Sequence, residues 1–113
     1  MKKWLDVEFE SACYKTQQFR SFATQFRNAI KKALPENAKT VKLNTGHFYV
    51  SGFIEREGKF VYFSVSDVRY FANEWYNHIL IRTAKSERDF TGGFNEYTTL
   101  EKFGSNVDLL LND

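Results

Sequence analysis

The chain has one cysteine, one proline, one methionine and two histidines among its 113 residues. With Cys13 alone, no disulfide can close within the chain. A structural zinc site would need at least three ligands from elsewhere, and His47 and His78 are the only nitrogen donors. No metal centre and no cofactor is expected. Long apolar runs are missing too, and none approaches the ~18 residues of a membrane span. Met1 to Asp6 leads straight into an alternating pattern without the apolar core of a signal peptide, so the expected location is the cytoplasm. Phosphate-loop, dinucleotide-fingerprint, nucleophile-elbow and H-E-x-x-H motifs are all absent. The candidate catalytic groups are Cys13, His47, Ser64, Ser66, Asp67, His78 and Asp89. Their spacing shows no nucleophile, base and orienting group converging, so an enzyme is not expected.

What the chain does have is rings. Twelve Phe, six Tyr and two Trp accompany 27% charged residues, the make-up of a folded domain rather than a disordered segment, because each ring buries a large apolar area. At this length a single domain spanning residues 1–113 is expected.

Leu5, Val7 and Phe9 alternate with Asp6, Glu8 and Glu10, the period of a half-buried strand. Thr16 is a suitable N-cap for a helix running to about Leu34, where Pro35 stops it. Phe19, Phe22, Phe26, Ile30 and Ala33 line one stripe of that helix. From Thr40 the pattern turns to strands. A hairpin is expected from 47–54 and 60–66 around a polar link holding Gly58, and a further strand over 78–84. Gly52, inside a strand, predicts a bulge or a large ring crossing over it. Residues 85–97 lack periodicity and read as a loop. Thr98 and Glu101 have the spacing of a capping box opening a C-terminal helix, which Gly104 threatens to break. The expected fold is α+β: an antiparallel sheet of about four strands in the order β-α-β-β-β-α, with helices packed on one face.

The net charge of +2 conceals an uneven distribution. Residues 11–54 carry seven cations against Glu36 alone, a local +6, while the flanking segments are acidic. At 100° per residue, Arg20, Thr24, Arg27 and Lys31 fall within about 60° of one another, about a third of a turn from the Phe stripe. Such a row suits phosphates or an acidic protein surface, although solubilising cations commonly flank an apolar helix face. A second candidate is the sheet face bearing His47, Tyr49 and Tyr62. Exposed rings there would stack bases or anchor a protein, and ordinary cross-strand pairing is the plainer account. A third is the loop after the 78–84 strand, with Arg82, Lys85, Arg88 and Phe90, a Gly pair at 92–93, and Phe94 and Tyr97 nearby.

The run Ile79 to Thr91, a strand leading into R-T-A-K-S-E-R-D-F-T-G-G, resembles small accessory proteins of Gram-positive phages and conjugative elements. The short, aromatic-rich chain is similar to their anti-restriction and anti-CRISPR proteins. The resemblance covers about a third of the chain and implies a stoichiometric, non-enzymatic inhibitor of a host defence nucleoprotein. Many such inhibitors are acidic mimics of nucleic acid, and this chain departs from them. Its expected partner is therefore a macromolecule, protein or nucleoprotein, met by Arg20, Arg27, Lys31 and the 82–94 loop. The alternative is direct nucleic-acid binding through the same helix and the Tyr/His face.

Overall fold

The computed structural model describes residues 17–46, 49–65, 76–90 and 93–112, with the side chains of 17–19 and 22 left aside. Helix α1 (Gln17–Ala33) ends two residues before Pro35, as the steric clash of a pre-proline residue requires. Its buried positions are Ala23, Phe26, Ala29 and Ile30, and Lys31 and Lys32 stand in the last turn, where the helix dipole favours cations. The chain reverses at Pro35–Ala38, where Ala38 N–H donates to the Pro35 carbonyl and Asn37 takes a positive φ of 63°. Asparagine tolerates that conformation better than most residues.

Five antiparallel strands follow in simple meander order: β1 (Lys39–Gly46), β2 (Tyr49–Arg56), β3 (Lys59–Val65), β4 (Ile79–Ala84) and β5 (Glu96–Thr98). Helix α2 (Leu100–Leu111) closes the described chain. β2 and β3 are joined by Glu57 and Gly58, at φ 53° and 79°. Two successive positive φ values match the right-handed twist of the flanking strands, and give the tightest hairpin connection. β1 carries a bulge: Val41 pairs with Phe53 and Asn44 with Ser51, so Lys42 and Leu43 together oppose Gly52. Lys42 accordingly sits at φ 53°. The bulge sends Leu43 to the helix side, where its Cδ2 lies 2.7 Å from the place a Cβ on Gly52 would occupy. The Phe63 ring lies 3.1 Å from the same point. Gly52 thus has both features expected of it, a bulge opposite and a ring above.

Helices α1 and α2 cover one face of the sheet. Phe63 of β3 sits between them, 6.5 Å from the Phe26 ring of α1 and 6.0 Å from the Phe103 ring of α2. Val50, Ile54, Val61, Val65, Ile79 and Ile81 complete this layer, all essentially without solvent contact. α2 contributes Phe103, Val107 and Leu111 at i, i+4, i+8.

The α+β class and the antiparallel sheet agree with the sequence reading, but several details do not. Among the described residues the sheet has five strands, in the order α-β-β-β-β-β-α. The 39–46 segment, which the hairpin reading of 47–54 and 60–66 left unpaired, is a full strand antiparallel to β2. Glu96–Thr98 is a strand, too short for its periodicity to be read. Thr99, not Thr98, caps α2: its side chain accepts from Lys102 N–H at 3.2 Å. Thr98 is held in β5, and its Oγ1 accepts from the Asn106 side-chain amide at 2.6 Å. Gly104 does not break α2. A Cβ there would stand 2.6 Å from the Ala33 carbonyl oxygen, so the glycine lets the two helices cross closely. The expected strand over 5–10 and the Thr16 cap lie outside the described residues.

Candidate interaction site

The helix-covered face is a packed core, so the far face and the loops are left for function. Alternation along β4 sends Ile79 and Ile81 inward and Arg82 to the far face. The register places Arg82 opposite Tyr62, and Tyr62 opposite Phe53. Arg82 is only 4% exposed. Its guanidinium carbon lies 4.4 Å from the centre of the Tyr62 ring. Its Nη2 donates to the Asp89 carbonyl at 2.7 Å and its Nη1 to the Thr83 carbonyl at 3.3 Å. A planar fork stacked on a ring, bridging two backbone segments, is a role that lysine geometry does not allow.

Arg82 is therefore buried on the far face, holding the loop that follows β4. The carboxylate of Asp89 accepts from Lys85 N–H at 2.9 Å, and Asp89 N–H donates to the Ser86 carbonyl at 3.2 Å. Phe90 then lies edge-on to Phe53 and Tyr62, at centroid separations of 5.4 and 6.1 Å. Gly93 returns the loop against β4, so close that a Cβ would sit 2.5 Å from the Thr83 carbonyl oxygen. Only glycine fits there, doubly so at φ 73°.

On this anchored base stands an exposed crest. Phe90 is 58% exposed, Tyr97 70% and Phe94 91%. Lys85 and Arg88 are exposed beside them. Two shallow clefts flank the end of β4. One of about 260 Å³ is lined by Lys59, Phe60, Thr83 and Leu110 among others, and one of about 220 Å³ by Thr83, Ala84, Lys85, Asp89 and Gly93. Both fall below the usual size of a small-molecule site, so this end of the molecule suits surface contact better than ligand enclosure.

The remaining candidates are dispersed. Arg20 and Lys31 are exposed on α1, while Arg27 is half-buried and donates to Thr45 Oγ1 at 2.7 Å. That row lies on the helix side of the sheet, and Tyr49 and Tyr62 lie on the far side, so the two do not form one continuous surface. Tyr49 is exposed, whereas the ring of Tyr62 is covered by Arg82, Phe53 and Phe90. His47, Cys13, Ser66 and Asp67 lie outside the described residues. Of the other candidate catalytic groups, His78 precedes β4 and Asp89 follows it. The intervening strand of six residues separates them by about 20 Å along its axis. Among the described residues, no group of three or more His, Cys, Asp or Glu side chains could hold a metal ion, and no helix is long and apolar enough to cross a membrane.

Arg56 escaped the sequence reading. It donates to Asp108 Oδ1 at 2.8 Å, to Asn112 Oδ1 at 3.0 Å and to the Glu36 carbonyl at 3.1 Å, tying the end of β2 to α2 and to the turn after α1. Its partners lie 20 to 56 residues away, so no local pattern announces them.

No protein-family model, no curated protein and no solved structure matches the chain.

Proposed function

We propose that this chain is a non-enzymatic interaction protein that docks on a macromolecular partner, protein or nucleoprotein, through the crest of the β4–β5 loop. The observation that carries this reading is the contrast between the anchored base of that loop and the exposed rings of Phe90 and Phe94 in it and of Tyr97 in β5. Aromatic side chains dominate binding hot spots, because they bury much area for little lost rotamer freedom. A loop whose base is already held by Arg82 and Asp89 loses less freedom on binding. The resemblance of residues 79–91 to proteins of phages and conjugative elements narrows the reading to an inhibitor of a host defence nucleoprotein, encoded by a mobile element.

The test is interference in a bacterium whose CRISPR or restriction system attacks an incoming plasmid. Expression of the chain is expected to restore transformation, and F94S/Y97S to abolish that effect while melting at the same temperature. Tagged wild-type protein should retain a component of the defence complex that F94S/Y97S does not. Equal recovery by both proteins removes the crest from the interface.

A further inference from the structure

We infer that the solvent face of α1 is a second, separate surface, which binds the phosphate backbone of duplex nucleic acid. The inference is independent of the crest, which lies across the sheet. From Arg20 onward the solvent arc of the helix comprises Arg27, Arg20, Lys31, Thr24, Asn28, Ser21 and Lys32, in order around the axis, and spans about 140° at 100° per residue. Four of the seven are cations and none is acidic. No ion pair involves Arg20, Arg27, Lys31 or Lys32 among the described residues, although Lys39 and Arg56 elsewhere are each paired with a carboxylate. α2, by comparison, presents both signs, with Glu101, Lys102 and Asp108.

Two features favour phosphate over an acidic protein. The arc contains no aromatic or aliphatic anchor, whereas protein interfaces centre on such anchors and are depleted in lysine. Its polar members are all groups that bond phosphate oxygens, Thr and Asn included. Arg20, Arg27 and Lys31 extend over about 16 Å of helix axis, at 1.5 Å per residue. A duplex presents a continuous line of charge, about one per 1.7 Å, against which a row of this length finds partners in any register. Arg27 is already oriented by Thr45, which stands opposite Val50 on the same side of the sheet, and the exposed Lys42 and Asn44 precede Thr45 on β1. Contacts of this kind carry affinity without sequence preference.

The experiment is fluorescence anisotropy with labelled duplex oligonucleotides of unrelated sequence, titrated with the whole chain across a salt series. Three to four displaced counterions give a log–log salt slope of about −3, a loss of about 10²-fold between about 50 and 200 mM salt. R20Q/K31Q, at two exposed positions, is expected to reduce that slope by about 2 and weaken binding about tenfold or more at low salt. F94S/Y97S should bind the duplex as wild type does, which separates this surface from the crest. Three results would each overturn the proposal: no binding of duplex DNA or RNA at about 50 mM salt, a slope unchanged in R20Q/K31Q, or displacement of the duplex by polyglutamate at equal charge. The last would mark a site for acidic polypeptide instead.

Discussion

The guanidinium of Arg82 is stacked on the ring of Tyr62, 4.4 Å from its centre, and from there it reaches the backbone of Asp89, seven residues further along the chain. A strand residue thus holds its own following loop against the far face of the sheet. Arg82→Met removes the stacking and both carbonyl bonds. It is expected to cost about 2 kcal/mol, since hydrogen bonds from a charged donor contribute more than neutral ones. Amide exchange over 85–90 should accelerate well beyond the global change. Arg82→Lys should recover little, because an ammonium does not bridge two carbonyls while lying on a ring. Unchanged exchange in the loop would show that Arg82 does not hold it.

The rings at 90 and 94 separate stability from recognition. Phe90 touches Phe53 and Tyr62. Phe90→Ala is expected to lower stability by about 1 kcal/mol through lost edge-to-face pairs and uncovered Phe53. Phe94 is almost fully exposed, and Phe94→Ala should leave the melting temperature where it is. Thermal melts of the two variants side by side distinguish these roles.

Glycine is required at 93 and 104 by neighbouring backbone, which cannot yield as a flexible side chain can. Gly104→Ala forces α2 away from the Ala33 carbonyl, and its expected cost is about 2–3 kcal/mol in urea unfolding. Gly93→Ala adds the strain of a positive φ to a clash with Thr83, but its effect should be confined to the loop. The core should survive that change, with faster exchange over 85–95 as its signature.

Arg56 and Asp108 permit a double-mutant cycle. Asp108 is 43% exposed on its side chain, so water screens the pair and the coupling energy should be only about 1 kcal/mol. Arg56→Met alone should cost about 2 kcal/mol, because it also surrenders Asn112 and the Glu36 carbonyl. A coupling near zero would reduce the pair to a surface contact.

Two positive-φ positions offer the opposite sign. Glu57→Asn in the β2–β3 turn and Lys42→Gly in the β1 bulge each relieve a strained backbone, and each should stabilise the chain by about 0.5–1 kcal/mol. Chemical denaturation with an unchanged m-value checks both.

Periodicity alone determined the elements that are long and amphipathic. Phe26 and Ile30 repeat at helical spacing, the residues of β3 alternate, and Pro35 marks where α1 must stop; these are local consequences of backbone geometry. Local signals also located the hairpin at Gly58, the crowding at Gly52 and the imbalance that leaves α1 basic. The tertiary structure decided what depends on residues far apart in sequence. A three-residue strand has no readable period, and β5 exists because Leu80 and its neighbours offer it a partner. The Thr98 hydroxyl was taken into the contact with Asn106, so the cap of α2 passed to Thr99. Arg82 and Lys85 looked alike as loop cations, yet strand register laid one on Tyr62 and left the other in water. Charge can be counted along a chain, but whether a charge faces inward or outward depends on which strands pair with which. That pairing set the basic helix and the aromatic crest on opposite sides of the sheet.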